Sequence, residues 1–155
     1  MAQRDLVPES YVPALLAWIN GGLTAEGSQA YRRLFGIGIA EWHVLAYLGH
    51  IGVGTGLAIS KSLYVDKAAV SRSIASLKRK KLVRTVVHSR RNIEVFPTEQ
   101  GMDRYRKILR LALLREKQLL KDFSPEERAQ LIEFLHRLLK RLPDIQNLSA
   151  NYRVS

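Results

Sequence analysis

Four residues have the side-chain types and helical spacing needed to read a nucleic-acid groove: Lys67, Ala68, Ser71 and Arg72. Positions i, i+1, i+4 and i+5 fall on one side of an α-helix. Two of these side chains are short, so this side can approach the floor of a groove closely. The two cations can donate hydrogen bonds to phosphates or to guanine edges. We therefore predict that these residues contact DNA; an ordinary solvent-facing helix surface is the alternative.

The helix that carries these residues is predicted over residues 66–82. Its apolar residues Val70, Ile74 and Leu77 follow the i, i+4, i+7 spacing that is typical of a helix packed on a core. Asp66 lies just before it, where a carboxylate can accept hydrogen bonds from the unpaired amides of the first turn. The run 78–81 adds further cations, which are predicted to contact phosphates or to serve solubility.

The overall composition favours a polyanionic partner. The 155 residues include 25 Lys and Arg against 14 Asp and Glu, a net charge of +11, and such an excess favours nucleic acid or an anionic membrane surface. Cysteine is absent, which excludes disulfides, Cys-ligated zinc and a cysteine redox switch. No run approaches the roughly 18 apolar residues of a membrane span, and the first ten residues do not resemble a signal peptide. We expect a cytoplasmic protein without a membrane partner.

Three helices are predicted before residue 66, at residues 11–34, 39–48 and 56–63. Gly21 and Gly22 lie within the first, and each costs about 1 kcal/mol relative to alanine in a helix. Residues 11–34 can therefore form either one helix or two. Residues 49–56 include four glycines and are predicted to form a loop. Thr55 can cap the helix that follows.

A β-hairpin is predicted after residue 82. The segments 83–88 and 93–97 are rich in β-branched and aromatic residues and are joined by a short polar turn. Pro97 cannot donate to a strand ladder and is expected to end the second strand. Arg90 and Arg91 lie in the turn, where we predict that they follow a minor groove; solvent exposure at a hairpin tip is the alternative.

Two long helices are predicted at the C-terminal end. Thr98 caps the first, which runs to about residue 121, and Ser124 begins the second with a capping box. Pro143 is expected to stop that helix, and residues 144–155 have no predicted structure. The apolar stripes of the terminal helices exceed what a lobe of sixty residues can cover, so we expect a two-fold homodimer. Its recognition helices would then enter half-sites centred about 34–36 Å apart.

The predicted fold class is mainly α with a small β-hairpin wing. A winged helix-turn-helix lobe is combined with long N- and C-terminal dimerisation helices. Residues 1–36 are expected to form an N-terminal arm and a dimerisation helix, and residues 37–100 the DNA-binding lobe. Residues 101–155 then form the C-terminal dimerisation helices and a tail.

The segment 57–84, LAISKSLYVDKAAVSRSIASLKRKKLVR, resembles the MarR family of winged helix-turn-helix transcription regulators. The family pattern has L-A, a Leu five residues on, V-[ST]-R, a further Leu and a closing G-L-V-x-R. This chain carries Val70-Ser71-Arg72 and, at the end, Leu82-Val83-Arg84. Residues 41–45, EWHVL, and 97–101, PTEQG, resemble further family motifs, and residues 89–92, SRRN, resemble the D-x-R tip of the family's wing. Three positions depart from the pattern: Lys81 replaces a glycine, Ser89 the wing aspartate and Pro97 a leucine.

The resemblance implies a homodimeric repressor that binds double-stranded DNA at a pseudo-palindromic operator and responds to a small aromatic or phenolic effector. Ser60, Lys61 and Lys78 are further candidates for contacts with the DNA backbone. The candidates for an effector pocket are Trp18, Trp42 and His43. For the two tryptophans, core or dimer packing is the more ordinary interpretation, and for His43 it is a surface or hydrogen-bonded histidine.

Other functions have little support in the sequence. The four histidines lack metal-ligand spacing, so no metal site is predicted, and no cofactor is expected. No nucleophile elbow, phosphate-binding loop or HExxH motif is present, so an enzyme is not expected. The alternative function is a winged-helix adaptor for proteins or membrane surfaces, without sequence-specific DNA binding.

Overall fold

The computed structural model describes residues 6–89 and 92–153. A short 3-10 helix, Pro8–Ser10, precedes six α-helices and three strands: α1 Val12–Phe35, α2 Ile39–Ile51, β1 Gly54–Thr55, α3 Gly56–Leu63, α4 Lys67–Arg79, β2 Val83–Ser89, β3 Asn92–Pro97, α5 Glu99–Leu119 and α6 Pro125–Asn151. The strands form one antiparallel sheet in the order β1-β3-β2. The chain divides into two compact units, before and after the bond between Leu111 and Ala112. The predicted fold class, mainly α with a small wing, is confirmed.

α1 is one continuous helix, which settles the question that the glycine pair had left open. A Cβ atom at Gly21 or Gly22 would meet no other atom within 4 Å, so neither glycine marks a close contact or a break. The helix ends at Gly36, whose left-handed backbone (φ 69°) lets its amide donate to the Arg32 carbonyl. Among the described residues no single helix is long and apolar enough to cross a membrane. α1 and α2 pass that test only as a pair, which is bent by 76°.

The predicted loop at residues 49–56 is partly wrong. α2 continues to Ile51, and Gly54–Thr55 pairs with β3 as a third strand. Gly49 lies inside α2 against the ring of Tyr105, and a Cβ atom at this position would be only 2.6 Å from that ring. The glycine therefore serves packing between α2 and α5 rather than a turn.

The helix-turn-helix is formed by α3 and α4, and both predicted caps are present. The Thr55 hydroxyl accepts from the Ala58 amide at 3.2 Å, and the Asp66 carboxylate accepts from the Ala69 amide at 3.1 Å. The core beneath these helices combines apolar residues of α2, α3 and α4 with the sheet: Val44, Leu45, Leu48, Ile59, Val70, Leu77, Leu82, Val83 and Val95. Local capping and a shared core thus hold α4 in place.

The end of α4 is a Schellman motif. The Leu82 amide donates to the Leu77 carbonyl and the Lys81 amide donates to the Lys78 carbonyl, both at 2.9 Å, and Leu77 and Leu82 are buried together. Lys81 occupies the left-handed position, with φ 59°. This is the position at which the family pattern has glycine, so lysine here carries backbone strain.

Lys81→Gly is expected to raise the free energy of unfolding by roughly 0.5–1 kcal/mol, because glycine adopts the left-handed backbone without strain. Urea denaturation measures this change. Lys81→Ala removes the same charge but retains a Cβ atom, and it should leave stability close to that of the parent. Equal stabilisation by both substitutions would show that relief of charge repulsion, and not backbone strain, is the cause.

The capping box before α6 is confirmed, but the predicted stop at Pro143 is wrong. Ser124 Oγ accepts from the Glu127 amide at 3.2 Å, and the Glu127 carboxylate accepts from the Ser124 amide at 2.7 Å. The helix continues through Pro143 to Asn151. Proline removes one amide donor and leaves the Leu139 carbonyl without its helical partner. Because no residue of α6 is buried in the single chain, water can reach that carbonyl.

Candidate nucleic-acid interface

The exposed face of α4 carries all four residues that the sequence predicts to read a groove. Lys67, Ala68, Ser71 and Arg72 are exposed, whereas Val70, Ser73 and Leu77 of the same helix are buried. The two sets lie on opposite sides of the helix because they follow its 3.6-residue period. α4 therefore presents a continuous polar surface of short side chains flanked by cations.

The charges on this surface are available to a ligand. Within the described part of the chain, no hydrogen bond or ion pair occupies the side chains of Lys67 and Arg72. Both follow Asp66 in the first two turns of α4, where the helix dipole adds partial positive charge. The combination of unpaired cations and a helix N-terminus favours phosphate oxygens and base acceptors as partners.

A groove of about 320 Å³ runs between α4 and the wing. Its lining combines residues of α3, α4 and the sheet: Thr55, Gly56, Leu57, Lys67, Ser71, Ile74, Ile93 and Val95. Two of the predicted DNA contacts, Lys67 and Ser71, thus stand beside an apolar floor. The contribution of Ile93 was not predicted; its signal in the sequence is the two-residue spacing that places it on the same face of β3 as the buried Val95.

The wing is a hairpin with polar contacts on its outer face. His88 Nε2 lies 2.8 Å from the Glu94 carboxylate, and the Arg84 guanidinium lies 4.4 Å from the centroid of the Phe96 ring. Ser89 Oγ accepts from the Asn92 amide at 3.2 Å, so this hydrogen bond joins the end of β2 to the start of β3. Arg90 and Arg91 lie outside the described residues, and their predicted contact with a minor groove stays a prediction.

The three candidates for backbone contacts differ in their surroundings. Lys61 is exposed on α3. Lys78 is exposed and donates to the Thr85 hydroxyl at 2.9 Å. Ser60 is only 9% exposed, and its hydroxyl donates to the Val65 carbonyl at 2.6 Å. The structure thus gives Ser60 a role in closing the turn between α3 and α4, and its contact with the DNA backbone stays a prediction.

The candidates for an effector pocket lie in three different environments. Trp42 is buried, with its ring centroid 5.9 Å from those of Tyr31 and of Tyr105. Trp18 is 55% exposed on α1. His43 lines a separate cavity of about 50 Å³ between α2, α3 and α4, and desolvation lowers its pKa below the ordinary value, which favours neutral imidazole at pH 7. The structure therefore does not bring these three residues together.

This chain resembles known proteins in their solved structures. The sequence matches no protein-family model and no curated protein sequence. The crystal structure of a MarR/EmrR family transcriptional regulator from Acinetobacter sp. ADP1 matches with a TM-score of 0.83 and 31% sequence identity, over 90% of this chain and 99% of that chain. The chain belongs to the MarR family. It is thus a DNA-binding transcription regulator, and the family is not enzymatic.

Further MarR-family structures agree with this fold. A regulator from Silicibacter pomeroyi matches with a TM-score of 0.80 at 22% identity, over 90% of this chain and 97% of that chain. The S. aureus MepR–DNA complex matches with a TM-score of 0.73 at 25% identity, over 86% of this chain and 98% of that chain. The winged-helix lobe and the long helices of this MarR-family chain thus recur together in the solved structures.

Proposed function

We propose that this MarR-family protein is a homodimeric, ligand-responsive repressor that binds a pseudo-palindromic operator. The observation that carries the proposal is the exposed face of α4, on which Lys67 and Arg72 flank the short side chains of Ala68 and Ser71. Such a face suits the major groove, where short residues allow close approach and arginine donates two hydrogen bonds to guanine. The net charge of +11 supplies long-range attraction to the phosphates.

Exposed apolar side chains on the terminal helices support the homodimer. No residue of α6 is buried in the single chain, and α1 buries only Gly27 and Tyr31. The exposed apolar residues include Val12, Leu15, Leu16, Trp18, Ile19 and Leu23 of α1 and Ile132, Leu135, Leu138, Leu139, Ile145 and Leu148 of α6. Apolar surface of this extent is typical of an interface. A second copy would cover it and would supply the second recognition helix.

A solved neighbour supports the response to a small effector. The Bordetella bronchiseptica BpsR structure, with a TM-score of 0.73 at 22% identity, concerns regulation of that protein's DNA binding by 6-hydroxynicotinic acid. An aromatic or phenolic effector is the corresponding proposal for this chain. Of the three residues predicted to line its pocket, Trp18 and His43 are exposed, and Trp18 lies on a helix proposed to dimerise.

Duplex binding measured by fluorescence anisotropy tests the proposal. The probe is the intergenic DNA upstream of the chain's own gene, titrated with scrambled competitor over a series of salt concentrations. One site that survives competition, with a salt slope indicating several phosphate contacts, would support the repressor. Weak binding that is indifferent to sequence would contradict it and would favour the adaptor function.

Arg72→Ala is expected to weaken binding to that operator by about 1–3 kcal/mol and to relax preference at one base position, because a bidentate contact to a base edge is lost. Anisotropy against operators with single-base changes measures both effects. Arg79→Ala, which removes the same charge at the far end of α4, should have a smaller effect on affinity and none on base preference. Unchanged affinity in Arg72→Ala would exclude this residue from the interface.

A further inference from the structure

The side-chain ammonium of Lys80, at the C-terminal end of α4, has acceptors within the protein for all of its hydrogen-bond donors. Its Nζ atom lies 2.7 and 2.9 Å from the two carboxylate oxygens of Glu41 and 2.8 Å from the Gly36 carbonyl oxygen. A lysine ammonium has three donors, and these three acceptors use all of them. The lysine that follows the recognition helix is thus bound to the junction between α1 and α2, although its position in a basic run had suggested a phosphate contact.

Glu41 is held from several sides. It occupies the third position of α2, where its carboxylate accepts from the Gly38 amide at 2.7 Å, and the Ser76 side chain of α4 lies near enough to lower its pKa. Burial raises the pKa of Glu41, but the hydrogen bonds from Lys80 and Gly38 and the nearby Ser76 side chain outweigh it and bring the pKa below its ordinary value. With 13% of its side chain exposed, Glu41 is a charged and largely enclosed partner for Lys80.

The same junction is bound by α5. Arg104 donates to the Phe35 carbonyl at the end of α1, next to the Gly36 carbonyl that Lys80 occupies. Two cations therefore meet the C-terminus of α1, where unpaired carbonyls and the negative end of the helix dipole attract positive charge. These contacts join α2, α4 and α5 to the end of α1.

We infer that Lys80 and Glu41 form an anchor that sets the direction of the recognition helix relative to α1. Lys80 and Glu41 are then positioning residues for DNA binding and do not themselves touch DNA. The inference rests on the proposed function, because it assigns the anchor to operator binding. If α1 dimerises as proposed, the anchor also links the dimer helices to the DNA-reading surface.

The position of the anchor explains how it acts on DNA binding. α4 has 13 residues and is therefore about 20 Å long. The anchor holds its C-terminal end, whereas the DNA-reading residues lie towards its N-terminal end. A tilt of about 10° at the anchored end displaces the other end by about 3 Å, which is enough to break hydrogen bonds to base edges.

A phosphate contact by Lys80 is the competing role, and Glu41→Gln separates the two. If Lys80 binds phosphate, removal of the acid releases the lysine and reduces repulsion of DNA, so that operator affinity should rise. If the anchor positions α4, the same substitution weakens the ion pair and operator affinity should fall. The opposite signs make the test independent of the size of the effect.

The experiment is a double-mutant cycle of Lys80→Met and Glu41→Gln, with Arg79→Met as control for the loss of one positive charge. We expect each single variant to weaken operator binding by about tenfold beyond the control, and the double variant to be no weaker than the worse single variant. The salt slope of Lys80→Met should equal that of the parent protein. A slope lower than the parent's by about 0.9 in Lys80→Met, together with tighter binding by Glu41→Gln, would overturn the anchor.

Amide hydrogen exchange of the DNA-free protein provides a second measurement. Both anchor variants should speed exchange at the end of α4 and at residues 36–41, whereas Arg79→Met should not. Unchanged exchange in both would overturn the anchor even where affinity falls. If the parent protein binds no operator, the proposed function fails, and the exchange measurement still decides whether the anchor exists.

Discussion

Leu135→Asp in α6 is expected to convert the proposed homodimer to a monomer and to weaken operator binding by at least about a hundredfold, since the two half-sites would no longer be bound together. Leu135 lies in an exposed apolar stripe with Leu138 and Leu139 at helical spacing. An aspartate within the proposed interface would be a buried, unpaired charge. Sedimentation velocity measures the oligomeric state, and anisotropy measures operator affinity.

Gln130→Asp is the matched control for this prediction. It adds the same negative charge to an exposed position of α6, on the side of the helix about 140° away from Leu135, and should leave the dimer intact. Because α6 contributes no buried residue to the single chain, Leu135→Asp should retain the helical content and folding of the monomer. A dimer of unchanged strength in Leu135→Asp would exclude this part of α6 from the interface.

Gly101→Ala is expected to lower the free energy of unfolding by about 3 kcal/mol or more, at the upper end of the cost of overpacking. A Cβ atom at Gly101 would lie 1.9 Å from the Leu82 carbonyl oxygen. That oxygen also accepts from the Thr98 amide at 3.0 Å, and Thr98 Oγ1 donates to the Lys81 carbonyl at 2.8 Å. The clash is thus with bonded backbone that has little freedom to move.

Denaturation in urea tests this prediction, with Gly21→Ala as the control. Gly21 lies in α1, and a Cβ atom there meets nothing within 4 Å. Its replacement should therefore stabilise the helix by about 0.5–1 kcal/mol. If Gly101→Ala were as stable as the parent, α5 would begin further from β2 than the structure places it. The result would also remove the steric explanation for the glycine in the PTEQG motif.

The recognition helix was predictable because its signals are local. The capping residue Asp66, the apolar spacing of Val70 and Leu77 and the exposed cations all lie within 17 consecutive residues. The structure places them as expected. The caps at Thr55 and Ser124 follow the same rule, since each acts on an amide three residues away.

The failures concern residues whose partners are distant in the sequence. From the sequence alone Gly49 resembles a loop residue, because the Tyr105 ring that packs against it is distant in the chain. β1 has too few residues to be predicted without its pairing to β3. From the sequence alone Lys80 resembles a phosphate ligand, because its partner Glu41 is 39 residues away in the chain. Pro143 is a different case, because an exposed helix tolerates a missing hydrogen bond that a buried one would not.

Periodicity and capping over short segments are sufficient to predict the helices, the wing and the exposed face of α4 that is proposed to read DNA, because the free energies involved depend on near neighbours in the chain. The direction in which that face points depends on contacts between distant segments. Lys80 with Glu41 and Gly101 with Leu82 are such contacts. Each requires the whole lobe to fold before the two partners meet, so their roles emerge only from the assembled structure.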